Sequence, residues 1–367
     1  MQRSRRRLEA LTRRIKADRV EAILIHNQTS VTYLTGYTGD DSILLVAPAR
    51  SIIVSAGLDE NRLREECGDF EVRLKRPDEA PIAAIADVVN KLGIKRLAIE
   101  GSTRSEEAIE ALGAGLKTVE IVALHGHVEQ LRMIKDRSEK EAIRGAIESA
   151  ERAFAMTLAG LRGELSEVEV ANRLDGYMRY CGASGPSFPP IVAVGKRSAK
   201  PHAKASEASR IGDAAFTLID WGATRFLYQS DLTRMVVTGK VTTKFERVYE
   251  TVAEAHRTGV AAIRPGIPAK EVDAKARAVI ESAGYGRYFE HGLGHGLGLE
   301  IHEAPRLRRD CDIVLEPGMV VTVEPGIYLP RWGGVRLEDD VLVTPDGREV
   351  LSRAPRSLDE CRVPGSF

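Results

Sequence analysis

His291-Gly-Leu-Gly-His295-Gly-Leu-Gly-Leu-Glu-Ile-His302-Glu303 is the stretch around which the rest of the chain is arranged. It holds three of the chain's 8 histidines, set among glycines that let the backbone come close to whatever the imidazoles face. Four carboxylates flank it, each on a segment that reads as a strand: Asp220 and Asp231 upstream, Glu324 and Glu338 downstream. Alternation sets Val320, Thr322 and Glu324 on one strand face and Thr233 on the side of Asp231. It sets Arg336, Glu338 and Asp340 together, opposite Val335 and Leu337. Acids embedded in apolar strands must be paired, protonated or bound to metal, because an isolated buried charge is expensive. One imidazole and four carboxylates form a hard, oxygen-rich donor set that suits a pair of divalent ions better than a thiolate-held structural zinc.

Competing motifs fail on inspection. His302-Glu303 opens like H-E-x-x-H, but no second histidine follows. Gly292-Leu-Gly294 opens like a dinucleotide loop, but Leu297 occupies the third glycine position. No serine lies in G-x-S-x-G.

The chain has 367 residues, enough for about two domains. Lys+Arg and Asp+Glu number 53 each, so no global field points to nucleic acid or an acidic membrane surface. The 4 cysteines (Cys67, Cys181, Cys311, Cys361) are far apart with no C-x-x-C, which argues against a disulfide framework and makes the reducing cytoplasm the default location. The basic start, Met1-Gln-Arg-Ser-Arg-Arg-Arg, lacks the apolar core of a targeting peptide; with Leu8, Leu11 and Ile15 it predicts an amphipathic helix. No run is long and apolar enough to span a bilayer.

Downstream, Glu21–His26 reads as a buried strand and Asn27-Gln28-Thr29 as a turn. Ser42–Ala47 and Ser51–Ser55 read as a hairpin, Asp78–Leu92 and Ser105–Leu112 as helices, and Arg96–Glu100 as a strand between them. This predicts a small N-terminal α/β domain over residues 1–127, in which His26, His125 and His127 have no partner at metal-ligand spacing. A second domain over 128–367 begins with a long helix from Ser138 towards Leu161 and a helix capped by Ser166. Gly185-Pro-Ser-Phe-Pro-Pro190 then precedes a strand at Ile191–Val194. The rest echoes itself. Phe216–Trp221 and Asp231–Val237 form one strand pair; Met319–Glu324 and Val335–Val343 form another, preceded by helices Phe245–Ile263 and Ala269–Ala283. Each pair carries one carboxylate per strand, so the class is mixed α/β (α+β), with two similar halves facing each other across a curved, mainly antiparallel sheet.

Taken in order, several motifs resemble the proline-specific branch of the pita-bread metallopeptidases, Xaa-Pro dipeptidase (prolidase) and aminopeptidase P. They are Leu131-Arg-Met-Ile-Lys135, Gly185-Pro-Ser-Phe-Pro-Pro-Ile-Val192 with Pro201-His202, Asp220-x-Gly-Ala and Ser230-Asp231-x-Thr-Arg234. His291-Gly-x-Gly-His295 through His302-Glu303-x-Pro305, Glu324-Pro-Gly and Gly334-x-Arg-x-Glu338-Asp339 complete the set.

The resemblance implies a pita-bread domain with pseudo-twofold halves and two divalent metal ions per subunit. Asp220 would chelate one metal, Asp231 and Glu338 would bridge both, and His295 with Glu324 would hold the other. His202, His291 and His302 match histidines that support the metals' ligands and face substrate, and Tyr328 and Arg336 match supporting residues near the metals; all five are expected to bind substrate. The donor set favours Mn2+, while Co2+ and Zn2+ fit the same ligands. The implied reaction is hydrolysis of the Xaa-Pro bond of dipeptides or short peptides with proline at the second position. A metal-bridging hydroxide would attack, with His302 and His291 at the reacting carbonyl and Glu324 shuttling the proton. The dipeptidase activity is preferred, with the aminopeptidase as alternative and an inactive peptide- or protein-binding module as the remoter one. A homodimer is implied; nucleic acid and membrane are not. The sequence departs from the family pattern at Leu227, where glycine is common, and at Met235, where threonine is common.

Overall fold

The computed structural model describes residues 2–48, 50–100 and 112–363. It divides into two compact units, Met1–Arg132 and Met133–Phe367. The first opens with α1 (Gln2–Ala17), whose Leu11 and Ile15 are fully buried, as the amphipathic pattern requires. It continues through β1 (Ala22–Ile25), α2 (Gln28–Thr35), β2 (Ser42–Ala47), β3 (Arg50–Ala56), α3 (Glu60–Cys67), β4 (Glu71–Lys75), α4 (Pro81–Lys91), β5 (Arg96–Glu100) and β6 (Glu120–Leu124). The strands form one sheet in the order β4-β3-β2-β1-β5-β6, with β1–β2–β3 antiparallel and the remaining neighbours parallel.

The turn expected at Asn27–Thr29 is instead a helix start. Asn27 caps α2, its side chain accepting from the Ser30 N–H, and Gly36 closes the helix with φ 89°. Eight residues with few apolar positions give too weak a period to announce a helix. The sequence reading also passed over α3, β4 and β6, all amphipathic and only partly buried. The helix expected over Ser105–Leu112 lies, but for its last residue, outside the described residues.

α5 (His127–Met133) carries the chain across the division. In the second unit α6 (Arg137–Ala159) and α7 (Glu167–Tyr180) each begin with a reciprocal capping box, Asp136 with Glu139 and Ser166 with Glu169. Next come β7 (Gly185–Pro186), β8 (Ile191–Val194), β9 (Phe216–Trp221), β10 (Ala223–Arg225), β11 (Tyr228–Gln229) and β12 (Leu232–Val237). After α8 (Thr243–Ala262) and α9 (Ala269–Ser282) the chain forms β13 (Gly294–Gly296), β14 (Glu303–Leu307), β15 (Val320–Val323), β16 (Gly326–Leu329), β17 (Gly333–Arg336), β18 (Asp339–Thr344) and β19 (Gly347–Val350).

The expected echo is present with a refinement. Each half places two helices before an antiparallel strand pair, β9–β12 or β15–β18. Between the members of each pair sits a small hairpin, β10–β11 or β16–β17, that the strand pairs read from the sequence do not include as such. At the tip of β10–β11, Phe226 and Leu227 take left-handed φ values of 52° and 70°, the conformation a two-residue hairpin loop demands. The Leu227 departure therefore sits on an exposed tip, and Met235 points into the core, so neither lines the cavity described below. The chain also breaks between β17 and β18, so Arg336, Glu338 and Asp340 do not share one regular strand; Glu338 bridges to Thr233 at the junction.

Two packed layers hold these strands. Phe154 of α6 stacks on Trp221 of β9 at 4.2 Å between centroids, and the indole N–H donates to Ala150 O at 2.9 Å, fixing the strand that ends in Asp220 and Trp221. Phe245, Val248 and Val252 of α8 join Val321, Val323 and Val341 in the other layer. Behind the strand ends lies a fully buried ion pair: Arg234 Nη2 donates to Asp339 Oδ1 at 2.7 Å, and Ser352 Oγ donates to the same oxygen at 2.8 Å. His256 Nε2 lies 3.0 Å from Asp339 Oδ2, and Arg356 pairs with the same oxygen. Burial would raise the Asp339 pKa, but Arg234, His256 and Arg356 hold this carboxyl well below the usual range. Replacing Asp339 by Asn leaves the Arg234 charge buried without its counter-ion. We expect a loss of about 3–5 kcal/mol in unfolding free energy, measured by urea titration in chelator so that metal binding does not enter.

Candidate metal centre

The Gly-rich stretch folds as β13 and the loop after it. His295 occupies the middle of β13 because neither neighbour has a side chain: a Cβ on Gly294 would collide with Thr322 O, and one on Gly296 with Ala304 O. The backbone N–H of His295 donates to Thr322 Oγ1 at 3.0 Å, and its Nδ1 lies 3.1 Å from Gly296 O. That contact turns Nε2 towards the acids, 3.3 Å from Glu324 Oε1 and 3.6 Å from Asp231 Oδ2. Asp231, His295 and Glu338 offer ligand atoms that all lie within 4.8 Å of one another, and all three residues are buried. Glu338 comes from the opposite half, its Oε2 accepting from Thr233 Oγ1 at 2.7 Å.

Asp220 and Glu324 complete the wall of the same cavity, which is about 660 Å³ in volume. One oxygen of Asp220 is held by Arg336, and the other, Oδ1, is buried with no hydrogen-bond partner. Arg336 also donates to Thr233 Oγ1 at 3.0 Å and to the Tyr328 hydroxyl at 2.9 Å, and that hydroxyl meets His291 Nε2 at 2.9 Å. Tyr328 thus sits behind the cavity wall and contacts His291 and Arg336, while His202, His291, His302 and Arg336 line the cavity itself. The His302 ring meets the His295 ring edge-on at 4.5 Å.

The electrostatics set the demand for a cation. Burial, then repulsion from Glu338 and Asp220, pushes the Asp231 carboxyl well above its usual range. Burial, then Glu324 and Asp220, does the same to Glu338. Burial raises Asp220 against the pull of Arg336. Glu324 is the exception: burial opposes its charge, but the His295 imidazole draws it down to about 2. Burial, with His295 and Arg306 adding to it, lowers His302 to about 4. These carboxyls cannot all ionise at neutral pH unless positive charge enters between them. The orphaned Asp220 oxygen and the oxygen-rich donor set fit the chemistry of divalent cations.

The sequence reading named Tyr328 and Arg336 as supports but gave Thr233, Thr322 and Arg306 no role. Thr233 and Thr322 hydroxyls orient the acids, and their same-face position beside Asp231 and Glu324 was the available signal. Phe188, Ile191 and Ile301 give the cavity an apolar side. Arg306, on β14, is exposed at the cavity wall and makes no hydrogen bond or ion pair among the described residues; only its alternation with Pro305 and Leu307 could have marked it.

Comparison with known proteins agrees with this geometry. Residues 141–345 match the model of metallopeptidase family M24, and residues 7–134 match the creatinase/prolidase N-terminal domain. An Xaa-Pro dipeptidase of Pyrococcus furiosus is 37% identical over 354 residues, covering 96% of this chain and 99% of the relative. Among solved structures, an Xaa-Pro dipeptidase from Bacillus anthracis superposes with a TM-score of 0.93 at 38% identity, covering 97% of this chain and 99% of that one. An X-Pro aminopeptidase from Thermotoga maritima gives 0.84 at 36% identity, covering 93% and 99%.

The charge argument makes a prediction of unusual sign. In chelator, Glu338→Gln should raise the unfolding free energy by roughly 1 kcal/mol, the worth of a one-unit shift, because it removes one of the repelling buried acids. The same substitution should abolish the stabilisation expected of the unsubstituted protein on adding a divalent cation. Calorimetry with and without metal reads both effects.

Proposed function

The chain belongs to metallopeptidase family M24, and from that membership we propose that it is an Xaa-Pro dipeptidase whose metal ligands are Asp220, Asp231, His295, Glu324 and Glu338. The catalytic domain has the pita-bread fold of the prolidases, preceded by a creatinase/prolidase N-terminal domain. We place the boundary between residues 127 and 128, at the start of α5, five residues before the compact units divide at Arg132. Bound divalent ions supply such a site with Lewis acidity, which makes a water acidic enough to lose its proton near neutral pH and polarises the scissile carbonyl. Mn2+ suits these donors best, and Co2+ or Zn2+ would be accepted.

The protein's own residues then divide the work. Glu324, oriented by the Thr322 hydroxyl at 3.2 Å, is positioned to take a proton from water and pass it to the prolyl nitrogen. His302 lines the cavity and can donate N–H to oxygen as charge develops there, while His291 lines it with Nδ1 on Gly292 O at 2.8 Å and Nε2 on the Tyr328 hydroxyl at 2.9 Å, and so acts by shaping and orienting the wall. Arg336, buried and tied to Asp220, Thr233 and Tyr328, keeps Asp220 and the Thr233–Glu338 contact in register. Phe188, Ile191 and Ile301 give the pyrrolidine ring an apolar wall and keep water off it, while His202 closes the cavity beside them. Such shaping matters because an Xaa-Pro bond has no N–H and restricts the preceding residue, so the usual backbone contacts of a peptidase are missing.

Arg306 carries the preference for dipeptides. An uncompensated guanidinium at the cavity wall beside His302 would meet the carboxylate of a C-terminal proline, whereas a longer peptide would bring an amide there. The aminopeptidase remains the alternative, as the Thermotoga maritima structure has the same fold. The wider setting we propose is a cytoplasmic homodimer. Four unpaired cysteines favour a reducing compartment, and among the described residues no helix is long and apolar enough to cross a membrane.

Stripping metal with chelator and restoring Mn2+ should abolish and then recover cleavage of an Xaa-Pro dipeptide, with an Xaa-Pro-Yaa tripeptide cut far more slowly; tripeptide cleavage at an equal rate would select the aminopeptidase. Arg306→Met should raise KM for the dipeptide about tenfold or more while leaving the amidated dipeptide unaffected. Glu324→Gln should lower kcat by at least about a hundredfold, and full activity in that variant would remove its assignment.

A further inference from the structure

We propose that the buried ion pair between Lys135 and Glu303 is a positioning device for His302; this rests on the reading of His302 given above. Lys135 Nζ donates to Glu303 Oε2 at 3.1 Å, and the two side chains are 1% and 5% exposed. A buried pair of this kind gains little net stability over well-packed apolar residues, so its presence calls for another reason.

Its place in the fold supplies one. Glu303 follows His302 directly and opens β14, at the end of the loop of residues 297–302 that leaves β13 just past His295. No hydrogen bond among the described residues holds the His302 ring, so its place over His295 is inherited from the backbone on either side. That backbone is pinned from within by Glu303. Its Oε1 accepts the Glu300 N–H at 3.2 Å, and Glu300 O accepts the Gly298 N–H at 3.0 Å. A side chain at 298 would put its Cβ 2.7 Å from the Glu303 carboxylate, so glycine there makes room for the pin. Gln229 of β11 holds the outer side of the loop, donating from N to Gly298 O at 2.9 Å and from Nε2 to Leu299 O at 3.0 Å.

Lys135 joins this pin to the segment ahead of α6. Its own N–H donates to Gly318 O at 2.9 Å, which anchors the lysine backbone just before β15, the strand that leads to Glu324. The ion pair therefore references the loop of His302 to the strand of Glu324. Lys135 touches neither substrate nor metal ligands; it acts through His302.

A double-mutant cycle on the Mn2+-loaded enzyme tests this. Lys135→Met should lower kcat for an Xaa-Pro dipeptide by about tenfold to a hundredfold, the usual cost of a small misplacement near the chemistry, with KM and bound metal unchanged. In a His302→Ala background the same substitution should cost nothing further. Lys135→Met/Glu303→Leu, which leaves no unpaired charge, should unfold at the unsubstituted midpoint and still show the low kcat. In the metal-free protein the 15N shifts of the His302 imidazole should move with Lys135→Met. Equal losses of kcat with and without His302 would overturn the proposal, as would a loss that follows metal content or unfolding. Full kcat in His302→Ala would instead remove the reading of His302, and the proposal with it.

Discussion

Four carboxylates face one cavity, Asp220, Asp231 and Glu338 buried and Glu324 partly so, and their mutual repulsion is the constraint that the second unit is built to tolerate. Desolvation opposes each charge, and for Asp220, Asp231 and Glu338 the neighbouring acids add to it, so the site costs stability unless cations enter. The protein answers with rigid surroundings. Two threonine hydroxyls and one guanidinium fix Glu338, Glu324 and Asp220, while His295 is fixed by a strand in which glycine permits backbone contact on both sides. Such preorganisation keeps the repelling groups converging when relaxation would spread them apart.

The halves of the fold explain how acids so far apart in sequence converge. β9–β12 and β15–β18 each end at the cavity, and the Thr233–Glu338 bridge joins the one to the other. Asp231 from the first half and Glu338 from the second can therefore both approach His295. The hairpins β10–β11 and β16–β17 fill corresponding places in the two halves, and Arg336, at the end of β17, reaches back to Asp220 in the first half. A site formed this way is held by contacts from both halves, which is why its geometry depends on the packing of α6 and α8 as much as on the ligands.

Much of this was legible in the sequence, for identifiable reasons. Long amphipathic helices with capping signals, such as α6 after Asp136 and α7 after Ser166, have strong periodicity and unambiguous starts. The outer strands are apolar runs of six residues in β9 and β12. What escaped was short or non-local. Strands of two to four residues in the inner hairpins carry no period, and a turn with left-handed Phe226 and Leu227 lacks the glycine that announces it. Alternation through 335–340 failed because the chain breaks at Leu337, and a period argument presumes an unbroken strand. The proposed ligand residues could be named from motifs, but Arg306 and the Lys135–Glu303 pair could not. Their meaning lies in what they face across the fold, 168 positions apart for the ion pair.

Three consecutive acids show how finely environment overrides residue type. Glu338 faces the cavity, and burial with its acidic neighbours drives its carboxyl upwards until a cation arrives. Asp339 points the other way into Arg234, His256 and Arg356, and is held ionised by two guanidiniums whose charge does not titrate away. Asp340 meets neither kind of partner: its Oδ2 accepts the Asp231 N–H at 3.1 Å, its Oδ1 has no partner, and burial pushes it well above the usual range. One is left needing metal, one is permanently compensated, and one favours the neutral form. The strand pairing sets this difference, since register decides which side each residue takes. The same Arg-x-Glu-Asp-Asp string on a surface helix would be three equivalent solvated acids; between two strand pairs, it separates metal demand from fold stability within three residues.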